Sequence, residues 1–134
     1  MSLLKEDINV SEIIGAIHET GALALASNHH FDMTPSDSDM KELFELMHLS
    51  GADILKLAVM PKTSADVIRL LAVTDYVSRV YDEPVITMSM GKLGVISRMA
   101  GSLTGSSVTF ASVKGESAPG QIPVNKLAEI MELL

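Results

Sequence analysis

Cysteine is absent from the 134 residues, which removes disulfides, thiolate metal sites and a cysteine nucleophile at once. That absence fits a reducing compartment, and a cytoplasmic location is expected. Basic residues are scarce: 10 Lys and Arg stand against 17 Asp and Glu, and the net charge of -7 argues against nucleic acid or an anionic membrane as partner. No apolar run approaches the roughly 20 residues that span a bilayer, and no basic stretch leads into an apolar core near the first residue, so no membrane partner is expected. Met1-Ser2-Leu3 read as an expression remnant and are set aside from the fold. What remains is 47% hydrophobic and 20% charged, a globular composition long enough for one core and short for two, so residues 1-134 are expected to form a single domain.

The most informative stretch is Gly51-Ala-Asp-Ile-Leu-Lys-Leu-Ala-Val-Met-Pro61. From Ile54 to Val59 only Lys56 is not apolar, the pattern of a parallel strand covered on both faces. Burial disfavours an ammonium and frees the neutral amine for attack on a carbonyl. The alternative is a strand-end lysine whose stem packs while its charge reaches water or a carboxylate.

Around this strand, helical spacing runs from Glu6 to Thr20, and Ala22 to Asn28 reads as a buried strand leading into His29-His30-Phe31. Thr34-Pro35-Ser36-Asp37 opens a helix that ends at Ser50-Gly51, and Thr63-Ser64-Ala65-Asp66 opens another. Pro84 to Met90 predicts a third strand, Val95 to Leu103 a short helix, Ser107 to Val113 a fourth strand and Asn125 to Leu134 a closing helix. Strands separated by helices require parallel pairing with right-handed crossovers. The fold class is therefore α/β with about four parallel strands: a small open sheet or half of a (β/α)8 barrel, since a complete barrel needs about 250 residues.

Polar side chains gather where active sites of parallel α/β proteins form, at the carboxyl ends of the strands: Ser27, Asn28 and His29, then Lys56, then Thr87 and Ser89. Alternation puts Leu25, Ser27 and His29 on one face with Ile54, Lys56 and Ala58, and sends His30 to the other. An amine that forms an imine beside an imidazole that moves protons is a coherent catalytic pair; His29 could instead cap the following turn. His18 and His48 lie on helices and read as surface residues. No metal site is expected, because His29 and His30 point apart and a third ligand is lacking. Arg98, after the Gly91 to Gly94 loop, could hold a carboxylate bidentately or form a surface salt bridge. Ser117-Ala-Pro-Gly-Gln121 could cover a substrate or form an ordinary turn, and Met88 and Met90 could line a pocket or fill core.

Six motifs in order, Ser27-Asn-His-His-Phe31 with Thr34-Pro35, the Lys56 stretch, Ile86-Thr-Met-Ser-Met90, Gly94-Val-Ile-Ser-Arg98, Thr109-Phe110 and Ser117-Ala-Pro-Gly-Gln-Ile122, resemble type I 3-dehydroquinate dehydratase. The resemblance spans the chain but only the carboxyl-terminal half of the family's barrel. It implies dehydration of 3-dehydroquinate to 3-dehydroshikimate in the shikimate pathway to chorismate and aromatic amino acids. It further implies that Lys56 forms the Schiff base and His29 moves protons, with no cofactor. Arg98 would bind the substrate carboxylate, Ser117 and Gln121 would bond substrate, and Met88, Met90 and Phe110 would be pocket wall.

Two departures stand out. His30 occupies a position where the family usually has Asp or Asn, and the family's amino-terminal half, which supplies acidic residues that orient the histidine and arginines that hold substrate, has no counterpart here. Open barrel edges favour a homo-oligomer built by pairing of half-barrels. The competing readings are a catalytically incompetent half-barrel that only oligomerises, and another Schiff-base lyase such as an aldolase.

Overall fold

The structure, a computed structural model, describes residues 9–134; the expected remnant at residues 1–3 and the first residues of the expected opening helix lie outside them. Helix α1 is Val10–Glu19, capped by Asn9; strand β1 is Leu25–His30; α2 is Asp37–Leu49, capped by Ser36; β2 is Ile54–Val59; and α3 is Ser64–Val80. At the start of α3 the Thr63 hydroxyl accepts from the Asp66 amide while the Asp66 carboxylate accepts from the Thr63 amide, which satisfies two end groups that a helix otherwise leaves open. Strand β3 is Val85–Ser89.

The three strands pair in parallel in the order β1-β2-β3, as expected for an α/β fold. Register aligns Ser27 with Lys56 and Lys56 with Ile86, and His29 with Ala58 and Ala58 with Met88. Side-chain alternation then splits the sheet into two unlike faces. Ala26, Leu55, Leu57, Val59 and Val85 pack under the helices against Met40, Phe44, Met47, Leu70, Val73 and Val77. Burying side chains of that size stabilises the fold by about 1.5–3 kcal/mol each, so this face holds the register. The opposite face carries a second, smaller apolar cluster of Ala58, Ile86, Met88 and Met90, with Ser27, Lys56 and His29 beside it.

Strand β1 begins later and ends later than Ala22 to Asn28. The Asp53 carboxylate accepts from the Ala24 amide at 2.7 Å, and the Ala24 carbonyl accepts from the Asp53 and Ile54 amides, so ladder pairing starts at Leu25 and carries through both histidines.

The larger departure lies after β3. The helix expected from Val95 to Leu103 divides into a 3-10 turn, Val95–Arg98, and a single α turn, α4, Gly101–Thr104. The expected fourth strand shrinks to β4, Ala111–Ser112, which pairs not with β3 but in parallel with β5, Ile122–Pro123, before helix α5, Val124–Glu132. Serine hydroxyls explain this. The Thr87 amide donates to Ser106 Oγ at 3.1 Å and the Ser89 amide to Ser97 Oγ at 2.8 Å, leaving the Ser107 amide to Val85 carbonyl bond at 2.8 Å as the surviving backbone link on that side. Gly94 permits the fold-back, because a Cβ there would collide with the Ser89 carbonyl.

Replacing Ser97 by Ala strands the buried Ser89 amide. The expected loss is about 1–3 kcal/mol of unfolding free energy, read by urea titration, with an unchanged far-ultraviolet spectrum before the transition.

Candidate active site

Residues of β1, β2 and β3 that face away from the helices converge at the carboxyl end of the sheet. Lys56 is flanked in sequence by Leu55 and Leu57, both fully buried, but is itself only half-buried. Turning to the opposite face keeps its amine out of the core, and the Nζ stands 4.8 Å from the centre of the Phe110 ring. That contact rests on charge and ring quadrupole and places the expected pocket-wall residue directly against the lysine.

His29 is two residues above Ser27 on the same face, and Ser27 is the register partner of Lys56. Burial first, and then the positive charge of Lys56, hold the imidazole below its ordinary pKa; both effects disfavour a second cation in the site. His29 therefore stays neutral and basic at physiological pH. His30 turns to the helix side, as alternation requires, with Nε2 buried and without a partner among the described residues.

Arg98 is 2% exposed, which overturns the alternative of a surface salt bridge. Its Nη2 donates to the Pro119 carbonyl at 2.9 Å, its Nη1 lies 3.9 Å from the Met88 sulfur, and its Nε has no partner among the described residues. Burial lowers its pKa from the ordinary value and the Glu116 charge opposes that shift, yet a guanidinium this basic remains cationic. No carboxylate among the described residues bonds Arg98, and a buried cation so placed is costly unless an anion arrives.

The Ser117 to Gln121 loop closes on this arginine. The Pro119 carbonyl also accepts from the Gly91 amide at 3.0 Å, and Gly120, at φ 81° and tight against the Gly91 backbone, admits no side chain. Gln121 Oε1 accepts from the Ser117 amide at 2.8 Å, and Gln121 Nε2 lies 2.9 Å from Ser117 Oγ. The two expected substrate ligands thus satisfy each other here.

Met88 and Met90 are buried in the site-side cluster, Met88 touching Arg98. Thr87, Ser89 and Asn28, grouped with the site by sequence position, turn instead to the helix side: Thr87 Oγ1 meets Thr74 Oγ1 at 2.7 Å. His18 and His48 are surface residues that pair with Asp53 and Glu83, each at 2.7 Å. Among the described residues no group of three His, Cys, Asp or Glu could hold a metal ion, and no helix is long and apolar enough to cross a membrane. Phe31, which closes the Ser27 to Phe31 motif but receives no site role from the sequence, stacks on His29; its position two residues beyond His29 was the available signal.

The sequence model described as type I 3-dehydroquinase matches residues 3–134. The chain belongs to that family. It is 44% identical over 134 residues to the 3-dehydroquinate dehydratase of Listeria welshimeri, covering all of this chain and 53% of that protein. Among solved structures, the 3-dehydroquinate dehydratase of Geobacillus kaustophilus superposes with a TM-score of 0.91 at 40% identity, over 93% of this chain and 49% of that one. A type I 3-dehydroquinate dehydratase from Clostridium difficile, solved with covalent modified comenic acid, superposes with a TM-score of 0.87 at 39% identity, over 92% of this chain and 49% of that one. The chain therefore spans about half the length of these dehydratases, and its α/β architecture is that of part of their fold.

Replacing Lys56 by Ala removes one of the causes that depress His29. The imidazole pKa is expected to rise toward the ordinary value of 6.5 without reaching it, since burial persists; NMR titration of the His29 ring protons in both proteins measures this, and an unchanged pKa would refute the electrostatic link.

Proposed function

We propose that this chain carries the imine-forming site of a 3-dehydroquinate dehydratase, converting 3-dehydroquinate to 3-dehydroshikimate and water in the shikimate pathway to chorismate and aromatic amino acids. The observation that carries this reading is the sharing of one sheet face by Lys56 and a depressed His29 beside a buried Arg98 that bonds no carboxylate among the described residues. The covalently modified ligand of the Clostridium difficile structure supports a covalent step in the family.

Lys56 gives up a proton to solvent and its amine attacks the substrate ketone; the carbinolamine takes up a proton and loses water, which leaves a protonated imine. His29 takes the proton from the carbon beside the imine; the electron pair moves into the C–N system, which becomes an enamine. Reverse flow expels the hydroxyl group as His29 returns its proton, so water leaves. A second water hydrolyses the imine and frees Lys56. The iminium is the electron sink, so these steps call on no metal or organic cofactor. Arg98 binds the substrate carboxylate, Ser117 and Gln121 exchange their mutual bonds for bonds to substrate, and Met88, Met90 and Phe110 form the wall. An aldolase reading accounts for Lys56 but leaves the buried Arg98 and the Ser117 to Gln121 loop without a role. Absence of cysteine supports a cytoplasmic setting.

One observation favours the second reading, a half-barrel without turnover: β1 is an edge strand whose flanks expose Leu23 and Phe31. Exposed apolar edges associate, and pairing of half-barrels is the proposed assembly. Sedimentation velocity over a range of concentrations is expected to give a species heavier than the 14.3 kDa monomer; a monomer throughout removes the pairing.

Borohydride trapping with dehydroquinate, read by peptide mass spectrometry, tests the chemistry. The expected result is an adduct on Lys56 that Lys56→Ala abolishes, with Arg98→Ala raising the half-saturating ligand concentration about 10- to 100-fold, as loss of a charged hydrogen bond implies. No adduct on folded protein at millimolar ligand would reduce the dehydratase reading to ancestry.

A further inference from the structure

His29 lies between two side chains, Ser27 on its own face of β1 and Phe31 just past the strand's end. Ser27, two residues earlier, brings Oγ to 3.4 Å from Nδ1 and also 3.4 Å from Nε2. Equal distances place the hydroxyl across the midline of the ring and not in line with either nitrogen. On the other side Phe31 stacks on the imidazole with centroids 5.7 Å apart and planes 7° from parallel, inside the range of favourable aromatic pairs. Phe31 is 64% exposed, so core packing does not account for its place. Between them the two side chains restrict rotation of the ring and leave both nitrogens uncommitted to any other side chain among the described residues.

We propose that Ser27 and Phe31 are positioning residues that clamp the His29 imidazole at the carboxyl end of β1 and aim its nitrogens at the carbon beside the Lys56 imine. The proposal rests on the dehydratase reading for the identity of that carbon, but the clamp itself does not depend on turnover. Neither residue touches the reacting atoms; each acts through His29. Their geometry suits a base that must accept and then return a proton, because a ring bounded by a stacked side chain and a neighbouring hydroxyl keeps its orientation while its charge changes. Loss of either side frees rotation about the ring's attachment, and misplacement of a base by about 1 Å costs up to 100-fold in rate.

The test pairs disruptive with conservative variants: Ser27→Ala with Ser27→Thr, and Phe31→Leu with Phe31→Tyr. Two measurements run on each folded protein: the His29 ring proton and nitrogen resonances by NMR, and exchange of the dehydroquinate proton beside the imine into heavy water, with the Lys56 borohydride adduct as a parallel control. In the native protein the His29 ring protons are expected upfield, shielded by Phe31. Phe31→Leu removes that shift and Phe31→Tyr keeps it. Ser27→Ala broadens or averages the ring resonances and Ser27→Thr restores them. Exchange falls about 10- to 100-fold in Ser27→Ala and Phe31→Leu while the adduct forms as in the native protein, a split that a general loss of structure would not give. Unchanged His29 resonances in both disruptive variants would overturn the clamp. So would exchange at the native rate with the adduct intact. Absence of the adduct in the native protein would instead defeat the dehydratase reading, with the NMR comparison still deciding the clamp.

Discussion

Everything at the site depends on the parallel register that sets Ser27, Lys56 and Ile86 side by side. Strand side chains alternate with a period of two, so a slip of one residue would drive Lys56 beneath α2 and α3 and expose Leu55 or Leu57. The slipped arrangement would bury an unpaired ammonium among Phe44, Met47 and Leu70, at a cost that several apolar contacts could not offset. The apolar face therefore does more than stabilise: it decides which way the lysine points. Lys56 is half-buried because its neighbours are fully so.

A second constraint operates at the far edge of the sheet. Hydroxyls of Ser97 and Ser106 take the β3 amides that a fourth strand would otherwise pair with. The chain consequently folds back through the 3-10 turn and delivers Arg98 into the sheet's site-side face, where Pro119 holds one arm of the guanidinium. Pro119 is itself pinned to Gly91. The same backbone carbonyl thus ties the turn after β3, the arginine and the Ser117 to Gln121 loop into one unit, and a ligand anion at Arg98 would be felt at once by the loop above it.

Much of this was legible in the sequence, and the reasons differ by residue. Lys56 announced itself because a lone charge in an apolar strand has few explanations, and the pairing of its face with that of His29 followed from alternation alone. The helix caps at Ser36 and Thr63 followed from local chemistry. Arg98 was ambiguous, since nothing in Gly94-Val-Ile-Ser-Arg98 distinguishes a surface helix from a buried turn; its burial depends on a loop more than 20 residues later. The fourth strand was overread for a related reason: Ser107 to Val113 has strand composition, but strand formation needs a free edge, and Ser97 and Ser106 had already occupied it. Phe31 stands in the Ser27 to Phe31 motif without a role, because nothing in the sequence says what an exposed apolar residue just past a strand end stacks on.

On the dehydratase reading, the depressed His29 and the two rings near the site follow from one electrostatic argument. The protonated imine is a cation on the Lys56 nitrogen; when His29 accepts the substrate proton, the nitrogen becomes a neutral enamine and the charge resides on the imidazolium; when hydroxide leaves as water, the charge returns. Through the carbon chemistry one positive charge moves between two nitrogens and never becomes two. The Coulomb link depresses His29 while the lysine nitrogen is charged, which keeps the imidazole neutral and ready to accept the proton, and it relaxes once the nitrogen is a neutral enamine, so the imidazolium is tolerated until the proton is given back. Each of the two nitrogens has an aromatic ring beside it, Phe110 at 4.8 Å from Nζ and Phe31 at 5.7 Å from the imidazole centre. Aromatic faces favour a nearby cation without accepting its proton, so both ends of the transfer are cushioned by groups that cannot themselves become the base.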